Sequence, residues 1–465
     1  MSDSLLARSR FWLALLAAAL TSTIALAQVP SEPARSGAYG RDLLIASPSA
    51  LNEPPAGFTP LFDGKTLTGW HGMDTYDIRK LDAMPEAERV KTQAEWTADA
   101  AQHWKVEDGV LVNDGFGKFL TTDKSYGDLH LVVDYKTVAK ADSGVYLRGC
   151  PQVQIWDFTN PGTRGTMGAE KGSGGLWNNT PGAPGKDPLA LADKPFGEWN
   201  HLEVIQVGAR TTVLLNDKLV VDHAIMENYF DRKLPLFPRG PIQLQTHGGA
   251  ISWRNLYARA IPPDEANQIL ASKGAAGFAP IFDGKSLDGW AGPVEAYEVA
   301  NGTLRCRSGA GGTIYHKKEL GNFAARFQFK LPPGGNNGLA IRYPGEGDTA
   351  YVGMCELQIL DDTAPKYAGR LDPRQTNGSV YGVVPATPGY LRPVGQWNFE
   401  EVTVVGSRIK VELNGTVILD ADVSQAKDYM AKSAHPGLTR KAGYFGLAGH
   451  NDPVEFKDVM IKTLD

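Results

Sequence analysis

One stretch of this chain occurs twice. Residues 57–72 read GFTPLFDGKTLTGWHG, and residues 277–292 read GFAPIFDGKSLDGWAG, an ungapped match with eleven of sixteen positions identical. A shared helix or strand period does not produce identity of that kind. The 465-residue chain therefore reads as two copies of one domain. Each copy is large enough to bury its own core. Every reading of one copy can be checked against its twin.

The rest of the sequence repeats in the same order. A hairpin is expected at Trp104–Val112 around Asp108-Gly109, and its counterpart runs from Tyr297 through Asn301-Gly302. Leu129–Lys136 matches Phe323–Lys330, and Ser143–Arg148 matches Asn337–Arg342. Gln152–Asp157 matches Glu356–Asp361. Gly197-Glu-Trp-Asn200 matches Gly395-Gln-Trp-Asn398, and Leu215–Asp217 matches Leu413–Gly415. Gly240–His247 matches Gly443–His450. Many short alternating segments, with Gly 52 and Pro 30 spread throughout, predict a mostly β protein built as two sandwiches. The expected boundaries are 57–261 and 277–465, joined by a connector at 262–276 in which Asp264–Lys273 forms a short helix. Residues 74–103 have no counterpart in the second copy. Ala83–Ala101, rich in Ala and Glu, predicts a helical insertion there.

Ahead of the first copy, Arg8 and Arg10 precede an apolar run from Phe11 to Leu20, and Ala25-Leu26-Ala27 offers a small-residue cleavage site. That pattern predicts a signal peptide over 1–27, followed by a linker at 28–56, and an exported protein, periplasmic or secreted. No membrane span is expected after cleavage. The formal net charge is −5 with no long basic run, so nucleic acid is not an expected partner. Three cysteines, Cys150, Cys306 and Cys355, are too few for a disulfide framework. Cys306 and Cys355 could pair, but buried free thiols are the expected state.

Taken together, FDGKxLxGW, the Ser/Asn-Gly strand ending in Arg, Glu356-Leu-Gln-Ile-Leu-Asp-Asp362, the GxWN strand, the NG hairpin and the closing HGG or GHND resemble the 3-keto-disaccharide hydrolase family across both copies. The resemblance implies a concanavalin A-like jelly roll of two antiparallel sheets with a groove on the concave face. It further implies export by bacteria and cleavage of glycosides whose sugar carries a ketone at C3.

Within that frame, Glu356 and Gln358 share one strand face. Asp361 rejoins them only if a bulge adds a residue. The first copy has Gln152, Gln154 and Asp157 in these places and lacks the glutamate; Glu170 and Lys171 could substitute if their loop folds back. His247 and His450 fill the same slot in the two copies, where an imidazole could move a proton or bind a metal. Catalysis is thus expected from Glu356, Asp361 and His450, the same three holding a divalent metal ion. Substrate binding is expected from Gln358, Arg342 and Tyr381 in the second copy, and from Arg148, Gln154, Asp157 and His247 in the first. Trp156, Trp177, Tyr343, Tyr381 and Tyr390 could stack on sugar rings. Trp70, Trp290, Trp199 and Trp397 are expected in the core.

The chemistry expected of such a site is removal of the acidic C2 proton next to the ketone, loss of the glycosidic oxygen from C1, and hydration of the enone. The substrate such a site implies is a carbohydrate. A tandem carbohydrate-binding module without turnover, a conventional glucanase with paired carboxylates and an envelope protein with degenerate sites are the alternatives. HExxH, paired CxxC, phosphate-cradling and GxSxG motifs are absent.

Overall fold

The computed structural model describes residues 50–159 and 167–464. The expected signal peptide and most of the expected linker lie outside these residues. The described chain forms two β-sandwiches with the same strand order.

In the first copy, a larger sheet runs Lys218–Ile225, Arg210–Leu215, Asn200–Val207, Leu129–Thr137, Ile251–Ala260, Val110–Asn113, Trp104–Glu107, with Thr59–Pro60 added on Ile251–Ala260. A five-stranded sheet runs Trp70–Met73, Phe119–Thr122, Gln243–Leu244, Asp142–Leu147, Cys150–Trp156. The second copy repeats both. Its smaller sheet runs Trp290–Ala291, Gly311–Leu320, Gly443–His450, Asn336–Tyr343, Cys355–Leu360. All pairings are antiparallel, so alternate residues of each strand enter the core. From Cys355–Leu360, Cys355, Leu357 and Ile359 join the apolar core of the second copy. Val153 and Ile155 do the same in the first. All three cysteines are buried free thiols.

The repeated opening motif is a structural corner. Asp63 accepts from the Lys65 and Thr66 amides, and the Trp70 indole donates to the Leu61 carbonyl at 2.6 Å. Asp283, Lys285, Ser286, Trp290 and Ile281 repeat it. Trp70 and Trp290 are buried as expected. Trp199 and Trp397 are not in the core. Each lies half-exposed beneath two cationic side chains, Lys136 and Arg254 in one case, Lys330 and Lys457 in the other.

Three further features refine the expected organisation. Residues 50–56 are not all linker: Asn52 and Asn255 exchange amide hydrogen bonds, each backbone N–H donating to the other side chain. The insertion is helical over Ile78–Asp82 and Glu86–His103 and packs on Trp70–Met73, where a side chain at Gly72 would strike the Trp96 carbonyl. The connector helix, Pro263–Ser272, is a wedge. Its Ala266, Ile269 and Leu270 form a third apolar cluster with Ile205, Val207 and Leu214 of the first copy and Phe399 of the second. Around it the Ala209 amide donates to the Gly415 carbonyl and Arg210 pairs with Glu412.

Candidate functional site

The outer face of each five-stranded sheet carries a groove, and each groove is built from one copy alone. The second-copy groove encloses about 290 Å³; its lining includes Asn336, Asp348, Tyr351, Glu356, Gln358, Tyr381 and His450. The first-copy groove encloses about 260 Å³ and includes Asp142, Gln152, Gln154, Trp156, Trp177 and His247. Either volume lies just below the usual range for ligand pockets.

Strand alternation positions the second-copy residues. Glu356 and Gln358 point outward from the edge strand, and His450 ends the strand two places away. Glu356 must reach across the intervening Asn336–Tyr343 strand. It does so over Gly338, where an added Cβ would lie 2.0 Å from Glu356 Oε1. The repeated Gly in the Ser/Asn-Gly strand is therefore a requirement of the site. Glu356 Oε1 accepts from His450 Nε2 at 3.1 Å, and Gln358 donates to Asn336 Oδ1 at 2.6 Å. The hydrogen bond to Glu356 holds the His450 imidazole above its ordinary pKa, against the opposing effect of burial. Burial raises the Tyr381 hydroxyl.

The first copy keeps the histidine and moves the carboxylate. Gln152 replaces Glu356, but Asp142, at the position of Asn336, lies 2.6 Å from His247 Nδ1 through Oδ2. Gln154 donates to the other Asp142 oxygen at 2.7 Å, and Gln152 donates to Gln154. Gly144 gives Gln152 the same passage that Gly338 gives Glu356, with Gln152 Oε1 2.8 Å from a Cβ placed there. Trp177 takes the slot of Tyr381: the preceding residues Leu176 and Val380 bridge equivalent strands at Val153 and Leu357.

The structure thus brings Glu356, Gln358, Tyr381 and His450 into one groove, and Gln154 and His247 into the other. Four expected site residues lie elsewhere. No bulge interrupts the pairing of Cys355–Leu360 with Asn336–Tyr343, so Leu360 faces the groove and Asp361 turns away. Buried Asp361 accepts from the Gly334 amide and the Thr363 hydroxyl. Asp157 does the same with the Lys140 amide and Thr159. Both tie down loops. Arg148 and Arg342 are 1% exposed at the strand ends. Arg148 donates to the Phe237 carbonyl and pairs with Asp128, while Arg342 donates to the carbonyls of Gly321, Gly406 and Arg440. Their partners are chain turns, not sugar hydroxyls.

The proposed metal ligands accordingly do not converge. Glu356 and His450 meet without Asp361, and among the described residues no group of three His, Cys, Asp or Glu side chains is arranged to hold an ion. Lys171 pairs with Asp187, and Glu170 is exposed outside the groove lining. Tyr343 is buried, its hydroxyl donating to the Gly347 carbonyl, and Tyr390 donates to the Leu236 carbonyl of the other copy.

Asp142, Asp348 and Tyr351 were not among the expected site residues. Asp142 sits one residue before the matched strand segment, in line with Asn336. Tyr351 lies on a short helix, Thr349–Val352, and Asp348 caps its start, in a loop that the first copy replaces by a tight turn at Arg148-Gly149.

Among the described residues no helix is long and apolar enough to cross a membrane. Comparison with known proteins gives one family model, the 3-keto-alpha-glucoside-1,2-lyase-like domain, matching residues 57–259 and again 277–462. A 3-keto-disaccharide hydrolase of Bacteroides thetaiotaomicron is 24% identical over 252 residues, 45% of this chain and 86% of that protein. A crystal structure of a candidate glycosyl hydrolase from Parabacteroides distasonis is 26% identical, with 40% of this chain and 99% of that one covered at a TM-score of 0.37. A carbohydrate-binding module from Bacillus subtilis is 14% identical, with 40% and 96% covered and a TM-score of 0.24. With both halves matched, this chain belongs to the 3-keto-alpha-glucoside-1,2-lyase-like family and carries its domain in tandem.

Proposed function

We propose that this protein is an exported enzyme that cleaves the glycosidic bond of 3-keto-glycosides, including 3-keto-disaccharides, in the second-copy groove. The observation that carries the reading is the Glu356–His450 pair at the floor of a groove lined with amides and tyrosines. Family membership and the name of the Bacteroides relative support the substrate class.

A ketone at C3 acidifies the C2 proton. Glu356, accepting from Nε2, fixes the tautomer and leaves Nδ1 of His450 to take that proton. The C–H electron pair becomes the C2–C3 enolate, whose oxygen is stabilised by a donor such as the Gln358 amide. Collapse of the enolate expels the aglycone oxygen from C1, which takes the Tyr381 hydroxyl proton, and leaves an enone. Water then adds at C1, its proton restoring the Tyr381 hydroxyl, and C2 is reprotonated by the imidazolium once that proton has exchanged with solvent. The net change is hydrolysis.

The route is tested by turnover in D2O. Elimination and hydration place deuterium at C2 of the released 3-keto-glucose; direct displacement through an oxocarbenium ion leaves C2–H intact, and that outcome would overturn the mechanism. Glu356→Gln and His450→Ala should each lower kcat by about 10²–10⁴-fold. Export is tested by N-terminal sequencing of the protein recovered outside the cytoplasm, with Gln28 the expected first residue.

A further inference from the structure

The geometry points to the first-copy groove as a second catalytic centre, using Asp142 and His247 on 3-keto-glycosides whose aglycone is aromatic. The inference rests on the elimination chemistry proposed for the second groove.

The carboxylate–imidazole pair survives in the first copy although the residue supplying the carboxylate has changed. Losing Glu356 to Gln152 would leave the histidine unsupported if the groove only bound sugar. Instead the acid sits one strand over, at Asp142, 2.6 Å from His247. Gln154 holds its second oxygen at 2.7 Å and so fixes the carboxylate. Asp142 itself is buried, while His247 stands more than half exposed at the groove. A buried carboxylate orienting an accessible imidazole is the arrangement that proton transfer needs.

The walls differ in a way that selects the leaving group. Phe119, Tyr146, Trp156, Trp177 and Tyr229 ring the first groove. Trp156 and Trp177 meet edge to face at 5.2 Å. Trp177, one face of its ring covered by the Lys186 ammonium at 3.3 Å, lines the groove in place of the Tyr381 hydroxyl, so the slot offers an aromatic surface where the second copy offers a proton. An aryl aglycone fits both properties. It stacks, and it departs as a phenolate, whose ordinary pKa near 10 lets it leave without a proton donor. In the step, His247 takes the C2 proton and the resulting enolate expels the phenolate from C1. The products are the enone and, after protonation by solvent, the phenol.

The test uses the full chain with two probes, 4-nitrophenyl 3-keto-α-glucoside and 3-keto-maltose. His247→Ala and Asp142→Asn should cut nitrophenol release by about 10²-fold or more while 3-keto-maltose turnover is retained. His450→Ala should do the converse. Thermal melts and circular dichroism of each variant confirm that it folds, and Asp142→Asn is close to isosteric. Loss of both activities in His450→Ala, with His247→Ala unaffected on either probe, would overturn the second centre and leave the second-copy mechanism standing. Indifference of both probes to His450→Ala and Glu356→Gln would overturn that mechanism and this inference with it.

Discussion

The two grooves solve one problem with different parts. In the second copy a glutamate on the edge strand reaches across a glycine to the histidine. In the first an aspartate on the intervening strand reaches the same histidine directly, and two glutamines fill the vacated path. The feature held in common is the pairing of imidazole with carboxylate, not any single acidic position. A sheet face permits this because neighbouring strands place side chains about 5 Å apart on one face. A functional group can therefore move between strands without the backbone moving.

The comparison is broken most sharply at the glycines. Gly338→Ala drives a methyl group into Glu356 and should separate it from His450, lowering kcat on a 3-keto-disaccharide by about 10²-fold. Gly144→Ala meets an amide at longer range and leaves the Asp142–His247 contact untouched, so its effect on either activity should be several times smaller. Equal effects in kinetic assays of the two variants would contradict the role assigned to the glycine passage.

A second difference lies in the cores. Glu400 points into the second sandwich with neither carboxylate oxygen hydrogen-bonded, whereas the paired strands place Leu202 at that site in the first. Burial pushes the Glu400 carboxyl up to about 8. The folded state thus holds a proton that the unfolded chain releases above the ordinary carboxylate range. Stability should fall as pH rises from there to about 8 and then level off. Glu400→Leu should remove that slope and stabilise the second copy by roughly 2–4 kcal/mol, measured by urea unfolding at pH 5 and pH 8.

The outer faces of the larger sheets sharpen the comparison further. Glu203 of the first copy is paired with His130 and His201; its counterpart Glu401 is paired with Arg326. Burial alone would lower the His201 pKa, but Asp134 and Glu203 raise it to about 9. Its contribution is complete below the ordinary histidine range and is lost as pH rises through about 9. The first copy should lose on the order of 1–3 kcal/mol in that window while the arginine-paired second copy does not. Site-resolved hydrogen exchange from pH 7 to 10 would report it.

The smallest expected effect concerns the pH profile. Because Glu356 raises the His450 pKa, the acid limb of kcat/KM should lie above the ordinary histidine range, and Glu356→Gln should move the limb of its residual activity downward. An unmoved limb would assign the titration to another group.

The sequence made the strands legible because core residues alternate with outward ones and because Asp-Gly and Asn-Gly mark hairpins. At Asp108-Gly109 and Asn301-Gly302 both residues have positive φ, as those turns require. Glu356, Gln358 and the two histidines could be read for the same reason: a period of two fixes which face a side chain takes. Asp361 shows where that reasoning was stretched. The bulge it needed is absent, and plain alternation would have sent it inward. Arg148 and Arg342 were misread because a strand-end arginine bonded to carbonyls looks, in one dimension, like one waiting for a ligand. Asp142 was overlooked because residues were compared position by position. Its exchange with Glu356 is visible only when two strands are seen side by side.

The connector helix has a practical consequence. Ile205, Val207 and Leu214 are sealed by the helix and by Phe399 of the other copy. Cutting the chain between the copies would bare the apolar patch around Ile205, Val207 and Leu214, or Phe399 opposite it, and Glu412 would lose Arg210, one of its two cationic partners. The halves of this protein are accordingly less like beads on a thread than like two stones sharing a keystone. Fragments made to compare them should clump or unfold for reasons unrelated to either groove.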